Sequence, residues 1–366
     1  MQSPPPLLEL RSVSKRFEKK IDTAARLARV LGARVSEQTV HAVDQVSIAV
    51  HAGEVVGLVG ESGCGKSTLG RVAAGLHSPS EGARWWCGEP TEALRMRLGS
   101  QAYRREMLGI QMVFQDPYAS LNPRLRVEQI IGEAPVAHGL VAARDLREHA
   151  ASLLDKVGLD PQYLRRFAHQ FSGGQRARIG IARALAVSPR MLVCDEAVAA
   201  LDVSIQAQVI NLFMDLREQF GLTYLFISHD LGVVRHISDR VVVMYLGRVV
   251  ESAPVETLFK EPAHPYTRAL LAQAPRLEVG KKLFAPIRGE IPSPLNPPRG
   301  CHFHPRCAQA MPRCVEEAPS LTAVGSGHTV ACHLHRAEQP ASGRAGDAGT
   351  ASVVPIDLVG RRARAA

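Results

Sequence analysis

No apolar run in the sequence approaches the roughly 18 residues that a membrane-spanning helix needs, so an integral membrane protein is not expected. The residues from Met1 to Pro6 lack the basic stretch and the following apolar stretch of a signal peptide, which argues against export. Internal repeats are absent from the sequence. Seven cysteines in a chain of 366 residues argue against a disulfide framework.

What the sequence does contain is the composition of an ordinary globular protein. Hydrophobic residues make up 46% of the chain and charged residues 22%, so a sizeable core is available. At roughly 150 residues for each unit, the length predicts two or three structural units. The 44 basic and 35 acidic residues give a net charge of +9. This charge favours an anionic partner such as a nucleotide, a nucleic acid or an acidic lipid surface, although a generally arginine-rich proteome would produce it too.

The chain divides into segments of different character. Short apolar runs alternate with helix-like stretches from about Leu7 to Arg276, which is typical of an α/β fold with a mainly parallel sheet. A loosely helical interruption at about 18–39 is interpreted as a surface insertion. The proline-rich run from Pro286 to Pro298 marks a boundary, and a Cys- and His-dense module follows it. The predicted units are therefore 1–275, 276–335 and a disordered tail at 336–366.

The strongest motif is the run from Gly60 to Thr68, which reads G-E-S-G-C-G-K-S-T and matches a phosphate-binding loop. It follows a strand-like apolar run and opens a helical stretch, which is the context that such a loop requires. Glycines let backbone N–H groups approach phosphate oxygens, and the helix N-terminus adds positive potential. We expect Lys66 to reach the β- and γ-phosphates and Ser67 to bind Mg²⁺. The predicted nucleotide-binding residues are Gly60, Ser62, Gly63, Gly65, Lys66, Ser67 and Thr68.

Polar side chains follow three more apolar runs: Gln115 follows 110–114, Asp195 and Glu196 follow 191–194, and His229 lies just after 222–227. In an open α/β sheet, ligands bind outside the carboxyl ends of the strands, so these side chains can meet at one nucleotide. Asp195 fits a ligand of the Mg²⁺ shell, and Glu196 is placed to polarise the attacking water. His229 and Gln115 are expected to act with Glu196 in catalysis by sensing the γ-phosphate and the metal. Gln115 is also predicted to join Ser67 and Asp195 as a Mg²⁺ ligand.

The residues from Phe171 to Gln175, F-S-G-G-Q, resemble the signature motif of ATP-binding cassette (ABC) ATPases, with Phe in place of the usual Leu. Ser172 is a plausible N-cap of the helix that follows. The order of the motifs, from the phosphate loop to His229, is similar to that of the ABC family over about Leu7 to Leu258. The resemblance implies a mainly parallel sheet core, an antiparallel β subdomain and a helical subdomain at about 116–185, with ATP and Mg²⁺ as ligands.

The same resemblance implies that two subunits dimerise head to tail. Ser172 and Gly174 of one subunit would complete the γ-phosphate site of the other, and Asp202 ends a loop at the dimer interface. Ala199 stands where the family usually has Ser, which puts equal activity of both sites in doubt and leaves open a regulatory subunit. Phe17 falls where family members stack an aromatic ring on adenine, although an ordinary strand Phe is nearly as good an interpretation.

Several stretches resemble a narrower group, the ATPase subunits of dipeptide and oligopeptide importers: Gly60–Arg71, Gln111–Arg124, Ala200–Asn211, Tyr224–Arg248, His264–Thr267 and Gly289–Pro294. This resemblance implies an ATPase at the cytoplasmic face of the bacterial inner membrane. Its expected partners are a second, often sister, ATPase subunit, two membrane-spanning permeases and an external solute-binding protein.

Other functions stay open. A soluble ABC ATPase acting on nucleic acid or ribosomes would suit the positive charge, but the chain carries one cassette rather than a tandem pair, so a nucleic-acid partner is not expected. An importer of nickel or another small solute is a further alternative, because an ATPase subunit does not touch the cargo.

Four cysteines, Cys301, Cys307, Cys314 and Cys332, crowd the C-terminal module. Their gaps are wider than those of zinc ribbons, and four thiolates can hold a [4Fe–4S] cluster, which similar importer ATPases carry on this motif. The prediction is a C-terminal Cys-rich extension with such a cluster, with zinc as runner-up because histidines lie close by. The density of these cysteines argues against four unrelated buried residues.

Overall fold

The computed structural model describes residues 4–19, 38–116, 118–273, 287 and 289–335. Most of the predicted insertion, the predicted boundary near residue 275 and the predicted disordered tail lie outside these residues. No helix in the described part of the chain is both long enough and apolar enough to cross a membrane.

The described chain alternates strands with helices. Its strands are β1 (Leu8–Lys19), β2 (Gln38–Val50), β3 (Val55–Val59), β4 (Glu81–Trp86), β5 (Glu89–Pro90), β6 (Ile110–Val113), β7 (Met191–Asp195), β8 (Thr223–Ile227), β9 (Arg240–Tyr245), β10 (Arg248–Pro254), β11 (Thr322–Gly325) and β12 (His328–Val330). Its helices are α1 (Lys66–Ala73), α2 (Thr91–Met107), α3 (Val127–Ala137), α4 (Leu146–Lys156), α5 (Gly173–Leu185), α6 (Val203–Phe220), α7 (Leu231–Ile237), α8 (Val255–Lys260), α9 (Pro265–Ala272) and α10 (Pro312–Glu316).

The main sheet has the strand order β11-β12-β10-β9-β3-β8-β7-β6, and the strands from β9 to β6 run parallel. Every residue of β3, β7 and β8 is buried, as expected for strands that are covered on both faces. This is why these strands appear in the sequence as continuous apolar runs rather than alternating ones. The predicted α/β fold with a mainly parallel sheet is confirmed.

A second sheet, β2-β1-β4-β5, is antiparallel and packs against the first. Apolar side chains of both sheets, such as Leu10, Leu58 and Trp86, share one core cluster with α1. On the opposite side, α3, α4 and α5 share a core with α6 and the main sheet, where Leu154, Ile181 and Phe213 are fully buried or nearly so. The central strands of the main sheet are therefore enclosed between these layers, which leaves their ends open for a ligand.

The residues that follow position 289 extend the main sheet. The hairpin of β11 and β12 adds to the sheet edge through β10, where Glu251 lies opposite Val330. Phe303 is buried with Tyr245 and Tyr266, and the ring centroids in this cluster lie 4.7–5.3 Å apart. The C-terminal segment 289–335 therefore packs directly on β9 and β10, and β9 is the neighbour of β3, which leads into the phosphate loop.

Candidate functional site

The glycine-rich loop leaves the carboxyl end of β3 and leads into α1. Gly60 and Gly65 have φ values of 155° and 104°, in the range that glycine tolerates best. A Cβ on Gly60 would lie 2.2 Å from the carbonyl oxygen of Met244, and one on Gly65 would lie 2.0 Å from that of Ala42. The loop is thus packed against the neighbouring strands, and no other residue type fits at these two positions.

Lys66 and Ser67 are the first residues of α1 and point to different partners. Lys66 is 4% exposed, and its Nζ donates hydrogen bonds to the carbonyl oxygens of Gly60 at 2.8 Å and Glu61 at 3.0 Å. Ser67 Oγ donates to Asp195 Oδ1 at 2.7 Å. Burial raises the pKa of Asp195, and the Ser67 hydrogen bond opposes that shift. Hydroxyl and carboxylate oxygens are the donors that Mg²⁺ prefers, so this pair fits a magnesium site.

Glu196 is the meeting point of the two neighbouring strand ends. Gln115 Nε2 donates to Glu196 Oε2 at 2.8 Å, and His229 Nδ1 lies 3.4 Å from the same oxygen. The parallel register explains the meeting, because Val113 lies opposite Cys194 and Asp195 lies opposite Ile227. The structure therefore brings Gln115, Glu196 and His229 together.

The backbone of Glu196 is itself unusual. Its φ of 48° lies in the left-handed region, which costs a non-glycine residue roughly 1–3 kcal/mol. Its N–H donates to the carbonyl oxygen of Ile227 at 3.0 Å, and its carbonyl oxygen accepts from the N–H of Ala199 at 3.0 Å. These two hydrogen bonds hold the carboxylate at the end of β7.

An open cleft joins the phosphate loop to Gln115 and Glu196, whereas Asp195 and His229 are not among its described lining residues. Its walls comprise Phe17, Val40, Ala42, Ser62, Gly63, Gly65, Lys66, Ser67, Thr68, Gln115, Glu196 and Pro294. Phe17 is 39% exposed at one end, where its ring packs edge-on against His77 with 5.6 Å between centroids. Lys15 Nζ lies 5.3 Å from the Phe17 ring centroid, so the rim at this end is partly cationic. The cleft thus has an aromatic end and a phosphate-binding end.

Ser172, Gly174 and Asp202 are not among the described residues that line the cleft. Ser172 is exposed and caps α5, accepting from Gln175 N at 3.4 Å while its own N–H donates to Gln175 Oε1 at 3.1 Å. A Cβ on Gly174 would lie 2.4 Å from Ile205 Cγ2, so this glycine is needed for close packing. Asp202 precedes α6 without a side-chain capping bond. The exposed start of α5 is therefore available to another molecule.

The sequence analysis missed three residues that contact the phosphate loop or line the cleft. Arg306 forms an ion pair with Glu61, Tyr266 accepts a hydrogen bond from the N–H of Glu61, and Pro294 lines the cleft. All three lie far along the chain from the loop. The stretches His264–Thr267 and Gly289–Pro294 resemble those of peptide-importer ATPases, but nothing in the sequence links them to Glu61.

The predicted [4Fe–4S] cluster is wrong. Cys301, Cys307, Cys314 and Cys332 do line one small cavity. However, no three or more His, Cys, Asp or Glu side chains in the described residues are arranged to hold a metal ion, so the zinc alternative has no support either. Burial raises the pKa of Cys301 to about 11 and also raises those of Cys307 and Cys332.

Comparison with known families gives two matches. The profile described as "ABC transporter" matches residues 43–199, and the profile described as "Oligopeptide/dipeptide transporter, C-terminal region" matches residues 250–314. The first match contains the phosphate loop, the signature motif, Asp195 and Glu196. The second contains Tyr266, Pro294 and Arg306.

Individual relatives agree with these profiles. The oligopeptide transport ATP-binding protein AppF of Bacillus subtilis is 48% identical over 333 residues, which cover 90% of this chain and 97% of that protein. The dipeptide transport ATP-binding protein DppF of Haemophilus influenzae is 47% identical over 296 residues, which cover 81% of this chain and 89% of that protein.

Among solved structures, the ATP-binding cassette MJ0796, a dimer in a post-hydrolysis state bound to ADP and phosphate, aligns with a TM-score of 0.56 and 25% identity. The alignment covers 68% of this chain and 98% of that one. The similarity therefore includes nearly the whole of that cassette.

Proposed function

Because the chain belongs to the ABC transporter family, as one of its oligopeptide and dipeptide transport ATP-binding proteins, we propose that it hydrolyses ATP in the cleft around Lys66 to drive peptide import. The chain is an ABC ATPase subunit of a peptide importer by family. The observation that carries the proposed location of the chemistry is the pair of hydrogen bonds Ser67–Asp195 and Gln115–Glu196. The first joins the phosphate loop to the end of β7, and the second joins the ends of β6 and β7.

The two ends of the cleft suit the two ends of ATP. Lys66 and the backbone N–H groups of the loop bind the phosphates, since a helix N-terminus and a buried ammonium group both attract negative charge. Ser67 and Asp195 would hold Mg²⁺, which when bound would stabilise negative charge on the phosphate oxygens. Phe17, exposed at the other end, stacks on the adenine ring.

Glu196 is the general base of the proposed reaction. A carboxylate at this position accepts a proton from the attacking water as the water approaches the γ-phosphate. Gln115 and His229 both lie at Glu196 Oε2, so they orient the carboxylate and connect it to the γ-phosphate end of the cleft. Binding of the γ-phosphate would therefore change the contacts of Gln115 and His229, and through them the position of the segments that follow each residue.

A second ATPase subunit completes the site in this proposal. The exposed N-terminus of α5, with Ser172 and Gly174, would face the γ-phosphate bound by the partner, and Asp202 would lie at the same interface. The partner is a sister subunit or a second copy of this chain. Ala199 offers a methyl group where a serine hydroxyl is usual in the family, so the two sites of the dimer would differ in activity if the sister subunit carries serine.

Coupling to the membrane would use the segment after Gln115. Tyr118 is 56% exposed, and the guanidinium carbon of Arg176 lies 4.0 Å from its ring centroid. Arg176 also donates to the carbonyl oxygen of Phe171 at 2.9 Å, next to Ser172. A shift of Gln115 at the cleft would therefore reach both the surface that contacts the permeases and the start of α5. The family places such subunits at membrane permeases, and a peptide-binding protein outside the cytoplasmic membrane would deliver the cargo.

The alternative of a soluble ATPase acting on nucleic acid or ribosomes is not favoured, because the matched relatives are transport proteins along nearly their whole length. Cargo other than peptides, such as nickel, likewise has no support from their names.

Affinity purification from the native host tests the proposed assembly. The tagged chain should co-purify with two permeases, a second ATPase subunit and, under crosslinking, a peptide-binding protein. The variant Lys66→Ala should recover the same proteins but lose ATP hydrolysis, because its docking surfaces are unchanged. Recovery of ribosomal or nucleic-acid-binding proteins in place of permeases would contradict the proposal.

A further inference from the structure

Glu61, the second residue of the phosphate loop, forms hydrogen bonds through its backbone N–H, its carbonyl oxygen and its carboxylate. Its N–H donates to Tyr266 Oη at 2.9 Å, and its carbonyl oxygen accepts from Lys66 Nζ at 3.0 Å. Its carboxylate accepts two hydrogen bonds from Arg306, from Nη1 at 2.7 Å and from Nη2 at 3.1 Å. Two of the three contacts come from the C-terminal part of the chain, and the third comes from the lysine that the ATP site depends on.

The ion pair between Arg306 and Glu61 is well shielded from solvent. The Arg306 side chain is 5% exposed and that of Glu61 is 19% exposed. A bidentate arginine–carboxylate pair fixes both the orientation of the two groups and the distance between them, and it is stronger than a hydrogen bond between neutral groups. Breaking a buried pair by removing one partner leaves an uncompensated charge. The geometry of this pair is therefore tightly specified.

Arg306 is itself supported by rigid neighbours. Its Nη1 lies 3.4 Å from Tyr245 Oη, and the Tyr245 ring packs against Tyr266 and Phe303. Tyr266, which accepts from the Glu61 N–H, is fully buried in the same cluster. The guanidinium group and the phenol that hold Glu61 thus belong to one packed unit.

A second contact brings the C-terminal segment to the cleft itself. Pro294 lines the cleft together with Phe17 and Val40. Its carbonyl oxygen accepts a hydrogen bond of 3.0 Å from the N–H of His41, which pins the segment to β2. The segment therefore touches the site at the phosphate loop and also at the wall that includes Phe17.

We propose that the C-terminal segment 289–335 is a working part of the ATP site and that Arg306 is a positioning residue for the phosphate loop, acting through Glu61. A loop that must present several N–H groups to one triphosphate binds it best when its shape is set in advance. Arg306, which lies in the C-terminal segment and not in an ATP-binding motif, fixes the shape of the phosphate loop through Glu61. The inference rests on the proposed function, because it takes ATP as the ligand of the cleft.

Nucleotide binding and turnover of the full-length chain test this role. Arg306→Gln should raise the Kd for Mg-ATP about tenfold and raise the KM for ATP with a smaller change in kcat, since Arg306 does not touch the reacting atoms. Arg306→Lys keeps the charge but loses the two-pronged geometry, so it should restore only part of the affinity. The double variant Glu61→Gln/Arg306→Gln should be no worse than Arg306→Gln alone, because both changes act through one contact.

Arg313→Gln is the matched control. Arg313 lies in the same segment and pairs with Glu317 at 2.6 Å, but its side chain is 49% exposed and the pair does not involve the phosphate loop. This variant should bind ATP within twofold of the unaltered protein. If Arg306→Gln fails to fold, Arg306→Lys and Glu61→Gln decide the question.

The variant Lys66→Ala distinguishes a failure of the positioning role of Arg306 from a failure of the proposed ATP site. If Lys66→Ala abolishes ATP binding while Arg306→Lys and Glu61→Gln both stay within twofold of the unaltered protein, the positioning role is overturned and the proposed ATP site stands. If Lys66→Ala binds ATP normally, the proposed site itself is wrong. A uniform loss of kcat with unchanged KM in the Arg306 variants would also overturn the positioning role.

Discussion

Gln115 Nε2 donates a hydrogen bond of 2.8 Å to Oε2 of Glu196, across the ends of two adjacent parallel strands. The contact joins the residue proposed to activate water to the start of the segment proposed to face the permeases. Chemistry and movement would therefore be linked by one hydrogen bond, because any change in the charge or position of Glu196 alters what Gln115 can bond to.

Replacement of Glu196 should separate ATP binding from hydrolysis. Glu196→Gln keeps the size of the side chain but removes the proton acceptor, so turnover should fall by roughly 10²–10⁴-fold. The Kd for Mg-ATP should stay within a few-fold, because the phosphate loop is intact. Steady-state phosphate release and equilibrium binding measure the two quantities.

Glu218→Gln, an exposed change on α6, is the control and should leave both quantities unchanged. Normal turnover by Glu196→Gln would remove Glu196 from the mechanism.

Ser172 should affect turnover without affecting ATP binding by the isolated subunit. Ser172→Glu places negative charge at the exposed start of α5, where the partner's γ-phosphate is expected. We predict that hydrolysis by the assembled complex falls at least tenfold while ATP affinity of the single subunit stays within twofold. Ser100→Glu, at another exposed serine, should change neither value. Weaker ATP binding by the single subunit would show instead that Ser172 serves its own cleft.

Glu251 should be important for stability although it lies outside the cleft. Its side chain is 0% exposed, accepts from the N–H groups of Ala263 and His264 at 2.7 and 2.9 Å, and lies 2.8 Å from His328 Nε2. Glu251→Ala leaves these groups unpaired in the interior and should lower the free energy of unfolding by about 3–5 kcal/mol.

Denaturant titration measures this loss. The control is Glu256→Ala on α8, whose side chain is 64% exposed and which should cost less than about 1 kcal/mol. Equal effects of the two substitutions would contradict the proposed role of Glu251.

His264 should make stability depend on pH. Burial lowers the pKa of His264 from 6.5 to about 3, so the folded protein keeps the ring neutral while the unfolded chain gains a proton below pH 6.5. The stability present above pH 6.5 is therefore lost as the pH falls, by up to about 1.4 kcal/mol per pH unit from this group. His264→Asn retains an acceptor for the N–H of Tyr266 but cannot titrate, so its stability should fall less steeply with acid.

Urea unfolding between pH 7.5 and 4.5 measures how steeply the free energy of unfolding changes with pH for the unaltered protein and for His264→Asn. His51→Asn, at an exposed histidine, should keep the slope of the unaltered protein. Identical slopes for His264→Asn and the unaltered protein would contradict the assignment.

The parts of the site that the sequence predicts well are those fixed by strand order. The phosphate loop, Gln115, Asp195 and Glu196 each follow a buried apolar run, and parallel strands bring their carboxyl ends to one edge of the sheet. The contacts Ser67–Asp195 and Gln115–Glu196 agree with that rule, but they also depend on the strand order β3-β8-β7-β6, which comes from the structure.

Contacts made by packing are not predictable in this way. Arg306 lies 245 residues from Glu61, in a segment without a motif for a phosphate site, and only the docking of β11, β12 and the aromatic cluster brings the two together. The four cysteines are the opposite case, a site that the sequence predicted and the structure does not support. Their density in the sequence suggested a cluster, but density does not fix which side chains converge with metal-binding geometry.

Uptake of a labelled peptide by cells of the native host tests the central claim most directly. Cells carrying Glu196→Gln in place of the unaltered chain should take up di- and oligopeptides at a small fraction of the normal rate, while Glu218→Gln cells transport normally. Normal uptake in Glu196→Gln cells, with the variant shown to be assembled with its permeases, would contradict the account.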